Sequence, residues 1–317
     1  MYTYVIRRVL TGIPVILGVL TIVFLSLHMT PGDPIDLLIP ADVPSDAGEE
    51  LAAQLRARYG LDQPLHTQFV MYMRRAVTLD FGESIRTRSA VAPSLLERYP
   101  ATIELAVFAM ALAMLVGIPA GVAAAIKQNS ITDNISMTIS LAGVSLPNFW
   151  LGLLLMLLFA LRLGWLPASG RVGGFWSVEA IKHLIMPALT IGVAAMGILA
   201  RLTRSAMLDV LREDYIRTAR AKGLKERTVI YRHALKNAMI PVITVLGLQF
   251  GGLLAGAVIA EMIFAWPGVG RYMWMGITGN DFPVVQGGVI LVAVTFVLVN
   301  LMVDLVYGFL DPRISYN

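Results

Sequence analysis

Six long apolar stretches, at about 9–29, 101–126, 135–161, 184–207, 239–264 and 284–310, set the terms on which this chain can fold. About 20 apolar residues in a helix cross the hydrocarbon core of a bilayer. In lipid such a segment must satisfy its own backbone N–H and C=O groups, which restricts it to a helix or a closed barrel. Stretches of this length predict an all-α membrane protein with six transmembrane helices. Composition agrees, with 57% hydrophobic and 15% charged residues in 317, against about 25% charged in a soluble domain. The sequence pI of 9.4 is not read as a sign of nucleic acid, because basic residues in so apolar a chain serve as topology signals. There is no cysteine, which excludes disulfides, thiolate metal sites and cysteine nucleophiles. The first apolar run is too long for a cleavable signal peptide and lacks a small-residue cleavage site, so it reads as a retained helix.

With the N-terminus inside, the cytoplasmic segments hold 14 Lys and Arg residues and the short outer loops hold 4, namely Arg162, Arg171, Lys182 and Arg271. Both termini are therefore expected in the cytoplasm. The segment 30–100, with seven more basic residues, becomes an extracytoplasmic insertion between helices 1 and 2, since long loops translocate regardless of charge. Within it, 48–59 has helical spacing and stops at Gly60, and 64–77 suits a second short helix. The first span ends at Thr30-Pro31-Gly32-Asp33-Pro34, which cannot continue a helix. Trp150, Trp165, Trp266, Trp274 and Tyr272 are expected at the membrane interface, and Pro119, Pro147 and Pro187 are candidate kinks.

Between the fourth and fifth apolar stretches lies a basic segment, 209–237, with eight of the ten Lys and Arg found from Arg201 to Lys236. It is long enough for two short helices separated by Gly223. Leu211, Tyr215, Ala219 and Lys222 share one expected face, with Arg212, Arg217 and Arg220 elsewhere. Ala219 and Gly223 are small enough to admit another backbone. The helical pattern resumes through Val229, His233 and Asn237, with Pro241 in the first turns of the next span. Two short helices at an angle make a stiff lever that presents itself to a partner. A solvated loop that only fixes topology is the plainer alternative.

Tyr215-Ile216-Arg217-Thr218-Ala219-Arg220-Ala221-Lys222-Gly223 resembles the EAA loop of ABC importer permeases, in the dipeptide, oligopeptide, nickel and glutathione branch. Arg217-Thr218-Ala219 stands where the general pattern has Glu-Ala-Ala, with Gly223 retained, so a salt bridge from that glutamate is not carried over. The family's later Leu-Pro is altered too, with Leu235 followed by Lys236. Arg7-Arg8, Pro31-Gly32-Asp33-Pro34, Gly164-Trp165-Leu166-Pro167, 264–271 (FAWPGVGR), 281–287 (DFPVVQG) and Asp311-Pro312-Arg313-Ile314 fit the same branch. The resemblance implies a type I importer fold in a bacterial inner membrane. It implies a second homologous permease, two ATPase subunits and an extracytoplasmic binding protein as partners. The domains expected are 1–94 (first helix and extracytoplasmic segment), 95–310 (permease domain) and 311–317 (cytoplasmic tail).

No G-x-x-x-x-G-K-[ST] phosphate loop occurs in the sequence, so ATP and Mg are expected on the partner ATPases and no cofactor on this chain. ATP energy would then enter by contact through Tyr215, Arg217, Thr218, Ala219, Arg220, Lys222, Gly223 and His233, with Arg217, Arg220 and Lys222 facing acidic groups on the ATPase. Taken singly, each of those charges also fits an ordinary solvated loop.

Ionisable residues inside spans are costly and mark functional candidates. Glu104 and Glu261 are candidates for passing the ammonium group of a peptide cargo, and Gln249 for lining its route; His28 and Asp304 are further intramembrane groups. Each also fits a helix cap or a bond to a neighbouring span. Gln249 and Asn300 suit interhelical hydrogen bonds, and Gly247, Gly251, Gly252 and Gly256 form a small-residue stripe suited to close packing. An ion-coupled secondary transporter would need coupling carboxylates near the midplane and often inverted repeats; Asp304 is the acidic residue deepest in a span, and no repeat is visible. An intramembrane enzyme has little support, with no H-E-x-x-H, no Cys and no Ser/His/Asp set at one depth.

Overall fold

A computed structural model describes residues 2–29, 35, 45–173 and 177–310, with backbone alone at 2–9, 27, 45, 46, 58, 59 and 304–310. The Thr30–Pro34 break, the side chains of Arg7, Arg8 and Asp304, and the tail 311–317 with its Asp311–Ile314 motif lie outside the described residues. The helices in chain order are α1 (Tyr2–Met29), α2 (Ser45–Tyr59), α3 (Leu65–Thr78), α4 (Val91–Ile126), α5 (Ile131–Ser145) and α6 (Asn148–Leu155). Beyond π-helical turns at Met156–Arg162 come α7 (Val178–Leu211), α8 (Asp214–Ala221) and α9 (Glu226–Thr228). Further π-helical turns at Val229–Ala234 lead into α10 (Leu235–Ile263), then α11 (Val269–Thr278) and α12 (Phe282–Leu310).

Among the described residues, four helical stretches are long and apolar enough to cross a membrane: Val91–Ile126, Val178–Leu211, Glu226–Ile263 and Phe282–Val303. A bent pair, α5 with α6 and its π-helical turns, makes a fifth, and α1 carries a shorter apolar stretch, Leu10–Ser26. The bend falls at Pro147, one of the three expected kinks, and breaks the expected 135–161 span in two. The two pieces meet at 105°, with Leu146 and Pro147 both extended (ψ 129° and 130°). A residue before proline is driven out of the helical region, so Pro147 divides the segment. Pro119 and Pro187 sit within unbroken helices.

The chain divides into two compact units. Unit one contains Ala101–Pro267 with parts of α1 and α12. Its core is built from Leu105, Ala109 and Ala113 of α4, Leu184, Ile191, Ala195 and Leu199 of α7, and Val242, Leu253, Ala257 and Ala260 of α10. The spacing of three, four, seven or eleven residues within each helix is that of one helical face. Small residues set the helix spacing. A Cβ on Gly121 of α4 would collide with the Ala200 carbonyl of α7, and one on Gly197 of α7 with the Ser140 carbonyl of α5. Of the expected glycine stripe on α10, Gly247 packs tightly against Val303 and Gly256 rests near Ile191, while Gly252 has open space beside it.

Unit two contains Ile6–Pro100 and Gly268–Val297. The two expected short helices are present as α2 and α3, with Gly60 after α2. Tyr72 and Ala76 of α3 pack with Leu20 and Phe24 of α1 and Ile290 of α12. His28 at the end of α1 bonds Gln68 of α3 at 2.9 Å. The Asp281 carboxylate accepts from the Ser84 hydroxyl and the backbone N–H groups of Ile85 and Arg86, holding the 82–91 turn to the start of α12.

Candidate functional site

Two features of unit one gather the candidate residues. The first is the basic segment. α8 is short and charged, and the exposed Asp214, Arg217, Arg220 and Lys222 surround a narrow apolar strip. That strip is Ile216, fully buried, and Ala219. They pack against Val122 and Ala125 of α4, Ala206 and Met207 of α7, Val229 and Ile230 of the π-helical turns, and Ala238 of α10. The expected face through Leu211, Tyr215, Ala219 and Lys222 is therefore corrected: Tyr215 and Lys222 are exposed, and the buried position between them is Ile216. The apolar pair Val229-Ile230 in an otherwise polar stretch was the signal that something apolar must cover it.

α8 ends where the Gly223 N–H bonds the Arg220 carbonyl at 2.9 Å and Gly223 takes φ +75°, the left-handed conformation glycine supplies at a helix C-terminus. A Cβ there would meet nothing within 4 Å, so within this chain backbone conformation, not close approach, calls for glycine. Beyond it the second short helix is the first turns of one stretch running from Glu226 to Ile263. Two side-chain links brace the turn. Arg220 donates to both oxygens of Glu226, at 2.7 and 3.2 Å, and Asn237 Nδ2 donates to the Tyr215 hydroxyl at 2.7 Å. The bonds from Arg220 hold the Glu226 carboxyl below the usual glutamate range, and the same bonds raise the Arg220 guanidinium above its ordinary value. Arg217 lies 3.7 Å from Asp214, the Thr218 hydroxyl donates to the Asp214 carbonyl, and His233 is half-buried in the π-helical turns.

The second feature is a set of buried polar contacts. On α4, Glu104 accepts a 2.7 Å bond from Arg171 Nε, with 6% of its side chain exposed against 25% for the arginine. Two residues earlier, the Thr102 hydroxyl donates to Oε1 of Glu261, which is fully buried near the end of α10. One residue before that, the Ala101 carbonyl accepts from Trp266 Nε1 at 2.8 Å. Trp266, three residues beyond α10, is buried within the chain, its ring in the core and its N–H partnered. Trp150, Trp165 and Trp274 are exposed. Gln249 is half-buried on α10, twelve residues or about 18 Å of helix before Glu261. Thus Glu104 and Glu261 meet through neighbouring residues of α4, and Gln249 stands apart.

A further ion pair had no sequence signal. Arg204 of α7 grips Asp133 of α5 with both nitrogen arms, at 2.6 and 2.7 Å, and Asp133 also accepts from the Asn129 N–H. In sequence Arg204 is one more positive charge near a span end; its partner is 71 residues away.

A family model described as the binding-protein-dependent transport system inner membrane component matches residues 117–316, and its N-terminal companion matches 1–106. The chain is 45% identical over 337 residues to the dipeptide transport system permease protein of Alkalihalophilus pseudofirmus, with all of both chains covered. It is 43% identical over 317 residues to the glutathione transport system permease protein of Salmonella choleraesuis, again over both full lengths. Among solved structures, a chain of a methionine ABC transporter is similar, with TM-score 0.57 and 16% identity over 68% of this chain and 96% of that one; this likeness concerns the fold alone. An all-helical chain with several membrane-length helices and a basic segment braced between α7 and α10, matched along its length in this way, belongs to the family of binding-protein-dependent transport system inner membrane components, the multi-pass permeases of ABC importers.

Proposed function

We propose that this permease subunit passes dipeptides, oligopeptides or a related small solute across a bacterial inner membrane. An extracytoplasmic binding protein delivers the cargo. A second homologous permease completes the pathway, and two ATPase subunits bind ATP and Mg and supply the energy. Six spans are assigned: α1, α4, the bent pair α5–α6, α7, α10 and α12. Both termini lie in the cytoplasm, and α2, α3 and the 82–91 turn form the extracytoplasmic insertion.

The observation that carries this reading is the seat of Ile216. α8 exposes its charges, yet Ile216 and Ala219 join it to one buried apolar cluster shared with residues of α4, α7, the π-helical turns and α10. Packed elements move as units, so a displacement of α8 by the ATPases is felt by three spans together. Tyr215, Arg217, Thr218, Ala219, Lys222, Gly223 and His233 form or support the surface offered to the ATPase. Arg220, bonded to Glu226, braces the lever from within. Glu104 and Glu261 are assigned to the cargo route, which needs only weak affinity because the binding protein does the selecting.

Uptake into vesicles carrying the assembled complex tests the proposal. Transport of a labelled dipeptide should require both nucleotide and loaded binding protein. Uptake that follows an ion gradient and ignores ATP would overturn it.

A further inference from the structure

The contact between Glu104 and Arg171 joins two different kinds of support. Glu104 stands on α4, in the core of unit one, with 6% of its side chain exposed. Arg171 stands on the connection between the π-helical turns at Met156–Arg162 and α7, 67 residues on, and is a quarter exposed. That connection is tied down beside the pair, where the Gly170 N–H donates to the Phe264 carbonyl at 2.8 Å. The Arg171 guanidinium also lies 5.9 Å from the ring centre of Trp266, which is itself bonded to α4 at Ala101. The 163–173 connection is thus a strap, and its one arginine places a cation on a carboxylate that is otherwise shut away from water.

We propose that Arg171 is a tethered stand-in for cationic cargo: an incoming ammonium group takes over Glu104 as Arg171 lifts away with the strap, which makes Arg171 a determinant of cargo selection by the permease. This rests on the assignment of Glu104 to the cargo route. A buried carboxylate stripped of its partner is strongly unfavourable, so Glu104 can release one cation only as it receives another. An arginine on a connection can move to water and be solvated there; one on a packed helix would carry the helix with it. Guanidinium and ammonium are both charged multiple donors without acceptors, so either satisfies the same carboxylate. A cargo lacking a cation cannot make the exchange and must pass with the strap still bound to Glu104, or leave the carboxylate bare.

The test uses the complete transporter in proteoliposomes, with binding protein loaded to matched occupancy with a free-amino dipeptide or its N-acetylated form. Arg171→Gln removes the competitor. It should lower the loaded-protein concentration for half-maximal uptake of the free-amino form, relative to that of the acetylated form, by about tenfold, ~1.4 kcal/mol. Glu104→Gln should abolish the difference between the two cargoes. If Glu104→Gln leaves that difference intact, the route assignment fails and the exchange with it. If Glu104→Gln abolishes it but Arg171→Gln shifts both cargoes by one factor, the exchange alone is overturned. Should Arg171→Gln not insert, Arg171→Lys serves, since lysine lacks the guanidinium fork. It should give a smaller shift confined to the free-amino cargo; an equal shift for both, or none, sinks the proposal.

Discussion

At the basic segment the charges of α8 stand in water while Ile216 and Ala219 hold the helix in place; around Glu104 and Asp133 the ion pairs themselves lie inside, among apolar helices. The two regions use charge for different ends. Exposed charges contribute little to stability but remain available to a partner. Breaking a buried pair leaves a bare charge in a poor solvent. The same residue type, arginine, thus stands exposed at 217 and is locked to a buried carboxylate on a neighbouring helix at 204.

The largest way to break this contrast is Arg204→Ala. It leaves Asp133 buried without its guanidinium and should cost about 3–5 kcal/mol, seen as a collapse of folded yield and thermal midpoint in detergent; a change within the range of a surface substitution would remove the distinction. Ile216→Ala comes next, at about 2–5 kcal/mol for a fully buried side chain. Because the loss falls on the seat of α8, ATP turnover by the assembled complex should persist while uptake falls, and parallel loss of both would argue against a lever. Gly223→Leu forces a branched residue into the left-handed region at about 1–3 kcal/mol. It should uncouple hydrolysis from uptake with the protein still inserted, and Gly223→Asn, better tolerated there, should be milder.

The smallest effect is expected at Arg220 and Glu226. Both are well exposed, so Glu226→Gln should change stability by no more than about 1 kcal/mol and less in high salt. The folded Glu226 carboxyl titrates below its unfolded value. The contribution of the pair is thus full above the ordinary glutamate range and fades as pH falls through the lowered folded value. Wild type and Glu226→Gln should then converge in thermal midpoint at acid pH; a gap that widened there would reverse the assignment.

Much of this could be read along the chain. Apolar length marks the helices, because a helix satisfies its backbone within itself. Gly223 marks the end of α8, because the left-handed conformation is a property of one residue. The division at Pro147 was visible as a proline, yet its 105° consequence was not, since a proline inside lipid is either absorbed, as at Pro187, or not, according to what packs around it. The buried strip of α8 is hidden in the sequence for a related reason: eight residues of helix offer more than one face, and the face that is buried is chosen by Val229, Ile230 and Met207, which come from other elements.

What the sequence alone determined is local and additive: which segments suit lipid, where a helix stops, which segment carries the positive charge, and the family these together resemble. What the tertiary structure decided is pairing. Arg171 with Glu104, Arg204 with Asp133, Thr102 with Glu261 and Trp266 with Ala101 join residues 67, 71, 159 and 165 positions apart. A charge in sequence has a sign but no address. Only packing, by excluding water from one neighbourhood and leaving it in another, determines whether that charge stays open to a partner or must find its counterpart within the chain.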